Sequence, residues 1–415
     1  MSNVQRIHMN NLRTGLLCLS AATLLAQPPT LKLTTILAKS ASGLAAGSGG
    51  VLYGTSSPGG PATVFSLTPP ASASGSWTET VLYTFAGAAE GTTLNPAVTG
   101  GDGILYGTTV DGGAAGAGTV YSLTPPVSPN DPWTENVLYS FSGSDGDNPI
   151  GGLLIGSGPG GRPVIYGTTS TGGTAGGFGV VFSLAETAPG VWTETVLHSF
   201  AGGNDGEDPN ALAMDAKGLL YGATEGGGVI GKGTVFSLAP PATSGNPWTH
   251  TVLHNFPSSA ADGFFPAGIA IGPGTGENAV VYGVTEDGGT SQGGVAFSLT
   301  PPVNAGGPWT ETIIHEFGNG ITSTDGSSPD SLVIAGNGVL VGSTSIGGNN
   351  GVGTVFWLAP PAEPGGEWSE ALFRFPAAGH KGDIPAFVIL GDHVVYGSTE
   401  LGGPAGEGTI FSLQP

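Results

Sequence analysis

From about residue 31 onward the chain is written in short apolar runs separated by polar, glycine-rich breaks. The runs are rich in Val, Ile, Leu, Thr, Tyr and Phe and are cut by Gly, Pro, Asn and Asp, the pattern of β-strands and turns. No segment of helical period with caps stands between them. Most runs are apolar on both alternations, as expected of strands covered on both faces. The phrase ILYGTTVDGGAAGAGTVYSLTPP (104–126) returns as LLYGATEGGGVIGKGTVFSLAPP (219–241), so the pattern itself repeats.

The repeat opens with a Tyr-Gly step at Tyr53, Tyr106, Tyr166, Tyr221, Tyr282 and Tyr396, with a Val-Gly variant at Val341. Each copy continues with a Gly-Gly turn, a GTVFSL-like run, a Pro-rich link and a WTETVLYSF-like run beginning at Trp77, Trp133, Trp192, Trp248, Trp309 or Trp368. A fourth apolar run precedes each Tyr-Gly step, as at Gly151–Gly156, Ala211–Gly218 and Ala267–Gly272. One unit therefore reads as four antiparallel strands, A to D. Seven such units predict an all-β fold, a seven-bladed β-propeller forming one domain over residues 31–415. The last copy stops after strand C, at Gly408–Pro415, while Leu31–Ala38 is a D-like strand with no partners. Pairing the two completes the last blade (386–413 with 31–38) and removes an exposed sheet edge. An open solenoid would instead call for capping repeats.

Through LYGTT, the Gly-Gly turn, GTVFSL and WTETVLYSF, the units resemble the GloVer tandem repeat of exported "choice-of-anchor" proteins, over about Leu31 to Pro415. The resemblance implies export and a β-propeller, and implies no particular activity. Such proteins often end in a sorting or anchoring segment. The residues after Leu413 match none, so surface attachment is not expected from them.

Residues 1–13 carry Arg6, His8 and Arg13 and no acid, and GLLCLSAATLLA (15–26) is apolar. This is the form of a secretory signal peptide, residues 1–26, cleaved between Ala22 and Ala26. It is too short to span a bilayer comfortably. The single cysteine, Cys18, lies inside it, leaving the exported chain without disulfides or thiolate chemistry. A secreted, extracellular monomer with no transmembrane segment is expected.

Composition narrows the partners. The chain has 77 Gly and 33 Pro, yet only 9% of its 415 residues are charged, so it has the apolar content for packing rather than the charge of a disordered chain. Acids outnumber bases 30 to 9. Nucleic acid binding, which depends on basic surfaces, is excluded on that ground.

The D→A and B→C links fall on one face of such a propeller. The D→A links carry Asp-Gly-x-x-Pro, with Asp145, Asp147, Asp205, Asp208, Asp262 and Asp325; the B→C links carry Asp111, Glu225, Glu286, Asp287 and Glu400. These acids predict a carboxylate-bearing ligand face for a glycan, a protein or a cation such as Ca²⁺. The reading preferred for these acids is nevertheless turn chemistry, since Asp caps its own backbone and Gly takes positive φ. Lys381 beside one turn argues against a cation there. His198, His254 and His315 share one register of strand D with Tyr83 and Tyr139, a slot for aromatic bulk rather than for one zinc ion.

GGGVIGKGT (226–234) approaches a phosphate loop, but Gly233 stands where Ser or Thr is needed. GSGPGG (156–161) is followed by a strand rather than a helix. The Trp series predicts packing between blades. No nucleophile elbow, His-Glu-x-x-His or other catalytic constellation appears, and strand A, the channel wall, is poor in titratable groups apart from Asp215 beside Met214. The expectation is a non-catalytic binding or structural module; the alternative is a glycan hydrolase or lyase with acids at the channel mouth.

Overall fold

The computed structural model describes residues 31–414 apart from 58–60, 73–74, 102, 129–130, 244, 257–260, 275, 305, 364, 377–382, 393 and 405. The signal peptide with Cys18, and Lys381, lie outside the described residues. The described residues form seven four-stranded antiparallel sheets, each ordered A-B-C-D. Strands A to D run Gly43–Ala46, Leu52–Ser56, Thr63–Thr68 and Thr78–Thr84 in blade 1, and Val98–Thr99, Leu105–Thr109, Thr119–Thr124 and Thr134–Ser140 in blade 2. Blade 3 is Asp147–Ser157, Pro163–Thr171, Val180–Ala188 and Val191–Ser199, and blade 4 is Glu207–Met214, Leu220–Gly226, Thr234–Ala239 and Thr249–Asn255. Blade 5 is Gly263–Ile271, Val281–Gly288, Val295–Thr300 and Thr310–Glu316, and blade 6 is Ser327–Ile334, Leu340–Ile346, Thr354–Ala359 and Ser369–Arg374. Blade 7 is Asp383–Leu390, Val395–Leu401 and Thr409–Gln414, with Lys32–Leu37 as its strand D. Leu33 pairs with Leu413 and Thr34 with Ser412, so the ring closes as expected. No described helix is long and apolar enough to cross a membrane.

The A strands touch one another around the axis, and the hydrophobic clusters lie between blades rather than within them. The repeated residues explain why. At the Tyr-Gly step of blade 4, a Cβ on Gly222 would overlap the ring of Phe236 in the neighbouring strand C. Glycine lets that ring lie flat across the sheet. Phe236 in turn meets Phe200 from strand D of blade 3, centroids 5.2 Å apart. The same edge contact recurs as Phe85–Tyr121, Phe141–Phe182, Phe256–Phe297, Phe317–Phe356 and Phe375–Phe411. Each Trp of the strand D series also packs against the preceding blade's Tyr-Gly tyrosine, as in Tyr106–Trp192 at 6.0 Å. The Trp series thus joins blades, as the spacing predicts.

A second stitch explains the phosphate-loop mimic. Gly233 has φ +94°, and a Cβ there would lie 2.6 Å from Pro266 Cδ of the next blade. Beside it, the Lys232 carbonyl accepts the Phe265 N–H at 3.0 Å, and Lys232 Nζ lies 4.5 Å over the Phe265 ring. Equivalent bonds run from Asn148 to Ala117, Asp208 to Phe178, Ser328 to Gly293 and Ile384 to Val352. All five donors have φ between 53° and 60°, just before a proline. Non-glycine residues rarely adopt this conformation, and here the inter-blade bond holds them in it.

Strand A begins earlier than the apolar runs suggest. Its edge lies at Asp147, Glu207 and Gly263, inside the Asp-Gly-x-x-Pro motif, because that motif pairs with the end of strand B. Asp147 and Asp208 are therefore strand residues, not loop residues. Glu225 and Asp287 likewise end strand B rather than lying in the B→C link. Residues 215–218, expected at the end of a strand, form a turn instead, because Asp215 caps the N–H groups of Lys217 and Leu219.

Candidate functional site

The carboxylates of the D→A/B→C face separate into two tiers. The outer tier sits where strand D of one blade, the following D→A turn and strand D of the next blade meet. Asp145 accepts the Tyr139 hydroxyl at 2.5 Å and the Ser142 N–H at 2.8 Å. Burial pushes Asp145 up, but these bonds hold it below the usual carboxylate range. Asp205 accepts the Ala201 N–H at 2.8 Å and contacts His198 Nε2 at 3.1 Å and His250 Nδ1 at 3.2 Å. Asp325 lies 3.2 Å from His315 Nε2, which is also 3.2 Å from Glu370 of the next blade. Burial disfavours charge on His315, but both carboxylates raise it to about 9. Asp262 acts electrostatically on His254 and Glu311 at the blade 4–5 junction, and its carbonyl accepts the Gly289 N–H at 2.9 Å.

Asp111 belongs with this turn chemistry, since it accepts the N–H groups of Thr92 at 2.7 Å and Thr93 at 3.1 Å. Four of the predicted residues, Asp111, Asp145, Asp205 and Asp325, thus have carboxyl groups engaged by their own turns and neighbours. In the aromatic slot, Tyr83, Tyr139, His198, His254, His315 and Phe373 each lie edge-on to the phenylalanine two residues on. His198, His254 and His315 stay apart, as expected. The sequence reading missed that His198 meets His250, which stands where other blades carry Glu79, Glu135, Glu194, Glu311 and Glu370.

The inner tier lies at the channel mouth. In blades 4 to 7 the residue after the strand A proline falls at a break in register with strand B: Asn210, Ala267, Asp330 and Ala386. A bulge of this kind takes a residue out of the ladder and re-aims its side chain. Asp330 accepts the Ser343 hydroxyl at 2.6 Å. Burial first, then Glu286 and Glu400, push its carboxyl up to about 8. Glu286 is itself raised by burial and by Glu225 and Asp287. Asp208 is raised by burial and Glu207, whereas Asp147 pairs with Thr171 at the edge of blade 3. Among the described residues, no Lys, Arg or His forms an ion pair with Glu225, Glu286, Asp330 or Glu400.

The channel wall is thus not free of acids, and Asp215, buried in the A→B turn, is not its exception. Asp330 is the residue that was missed. The signal was present: an acid stands directly after Pro329, where the uncharged Ile150, Asn210, Ala267 and Ala386 follow the corresponding prolines.

Fold and site together define a closed seven-bladed β-propeller with repeat-built junctions and an acidic channel mouth. The model of the Gloeobacter/Verrucomicrobia repeat matches residues 40–277, and the chain belongs to that repeat family. No curated protein matches it. Among solved structures it is similar to the virginiamycin B lyase of Staphylococcus aureus, determined with quinupristin, at 15% identity and TM-score 0.53, covering 93% of this chain and 99% of that one. It is also similar to the polysaccharide lyase Uly1, at 11% identity and TM-score 0.50, covering 91% of this chain and 90% of that one. At these identities the likeness concerns the fold alone.

Proposed function

We propose that the protein is an exported binding propeller whose site is the channel mouth on the D→A/B→C face. There the carboxyls of Asp330, Glu286, Glu400 and Glu225 draw in a hard divalent cation, Ca²⁺ by their oxygen chemistry, with water completing its shell. The carrying observation is that carboxyls from four blades act on one another in a chain, Glu225 on Glu286 and both Glu286 and Glu400 on Asp330, with no basic ion-pair partner among the described residues; burial first and these charges second raise Asp330 to about 8. An all-oxygen donor set of this charge suits Ca²⁺, which takes six to eight oxygens. Such an ion would keep coordination positions open towards the channel end, where glycan hydroxyls can bind. Calcium titration calorimetry and a glycan array read with and without Ca²⁺ test this. Calcium uptake that Asp330→Asn abolishes, with calcium-dependent glycan signals, is expected. A flat response to both would leave a passive scaffold and end the proposal.

One observation favours a second reading. A carboxyl raised to about 8 carries a proton at neutral pH and can act as a general acid. This would suit a glycan hydrolase or lyase acting at the same mouth. Bond cleavage in any arrayed glycan, lost in Asp330→Asn, would select it over binding alone.

A further inference from the structure

We propose that the junction between blades 3 and 4 binds a transition-metal ion, Zn²⁺ by its donor set, through His198, Asp205 and His250. The donor atoms of the three residues lie within 4.8 Å of one another. Each comes from a different element: strand D of blade 3, the turn that follows it, and strand D of blade 4. Two imidazoles and one carboxylate form a borderline-soft set of the kind that holds Zn²⁺ and leaves a position for water. It is a poor set for Ca²⁺, and the site is independent of the channel mouth.

One feature distinguishes this junction from the others, and two more suit it to a metal. It alone combines two histidines with an acid; elsewhere the same three positions hold Tyr83, Glu90 and Glu135, or Tyr139, Asp145 and Glu194. Its carboxylate is already oriented by the Ala201 N–H at 2.8 Å, the role of an outer-shell partner in metal sites. Its second imidazole is not fully committed to hydrogen bonds, because His250 Nδ1 faces Asp205 at 3.2 Å while Nε2 is buried with no hydrogen-bond partner. The rings of His198 and His250 stack at 3.9 Å, only 10° from parallel. Their lone pairs therefore run side by side, and binding requires one ring to turn about χ2 until the two converge. The side chains keep 12% to 25% exposure, so an ion can enter from the rim. The other histidine–acid triad, His315 with Asp325 and Glu370, does not qualify. Two carboxylates face its one imidazole and hold it protonated, which removes the lone pair a metal needs.

The test is calorimetry of the full-length protein with ZnCl₂, with Co²⁺ substitution read by visible absorption. His250→Glu and His198→Tyr install residues that other junctions already carry, so both variants keep the junction's packing. The wild type is expected to take up a single ion and to melt higher with Zn²⁺. Both variants should lose that uptake, and His315→Tyr should keep it. X-ray absorption on the zinc-loaded wild type should show two imidazole ligands, a readout that needs no variant to fold. The proposal is overturned if the wild type takes up no ion, if either variant binds as the wild type does, or if the metal's shell contains no histidine.

Discussion

Trp77 of the first blade meets Tyr396 of the last edge to face, with ring centroids 6.0 Å apart and planes at 79°. Elsewhere the same pairing joins blades adjacent in sequence; here it joins the two ends of the repeat array. Closure therefore has two parts, the ladder between Lys32–Leu37 and Thr409–Gln414 and the aromatic contact of the next junction.

The ladder can be locked covalently. Thr34 and Ser412 are direct partners across it, and Cα atoms of such pairs lie within the range a disulfide spans. The double substitution Thr34→Cys and Ser412→Cys is expected to raise stability by about 2–4 kcal/mol in oxidising buffer. Urea unfolding with and without reductant checks this; an equal midpoint in both would show that closure is not where the ring opens.

The glycine beneath the inter-blade proline is intolerant. Gly233→Ala places a methyl group against Pro266 on a backbone at φ +94°. The loss should be about 1–3 kcal/mol from backbone strain alone, more with the clash. Gly231→Ala, also at positive φ but with open space around it, serves as the control that carries strain without contact.

The blade 5–6 junction should weaken in alkali. The folded state raises His315 from 6.5 to about 9 through Asp325 and Glu370. Its contribution is therefore fully present below about pH 6.5 and is lost as pH rises through about 9. Melting temperature measured from pH 6 to pH 10 should fall further in the wild type than in His315→Tyr, and parallel curves would refute the assignment.

Asp330 should trade stability for binding. Burial first, and then the charges of Glu286 and Glu400, disfavour ionisation of its carboxyl, so Asp330→Asn is expected to raise the melting temperature in EDTA above about pH 8, where the native carboxylate ionises against that repulsion. The same substitution should abolish any rise produced by added Ca²⁺. A variant less stable than the wild type in EDTA would mean that the Ser343 hydrogen bond outweighs the repulsion.

The fold was legible because the repeat states its contacts five or six times over. The Tyr-Gly step, the Trp register and the split last blade follow from residue spacing, and each has a packing reason in the structure. The candidate site was only partly legible. Asp-Gly motifs announced where carboxylates lie along the chain. Turn chemistry foresaw that Asp145 and Asp205 turn back onto their own links, but not that Asp145, Asp205 and Asp325 each also meet a strand D side chain, because that depends on side-chain direction rather than on spacing. The residues that matter most depart from the pattern. Asp330 replaces an uncharged residue, and His250 replaces a glutamate. Each acquires its meaning from a neighbouring blade, a relationship that no single repeat contains.

Val341 stands where six repeats carry the tyrosine that receives a tryptophan, and across that seam the N-terminal strand offers Leu33 to the same cluster. The wheel thus has one seam glued by aliphatic contact alone at this position, next to the strand that shuts it. Under tension on the chain ends, that seam is expected to act as the mechanical fuse: the clasp should peel first, leaving Phe375–Phe411 as the aromatic contact between blades 6 and 7, and the remaining sectors should stay joined as an arc.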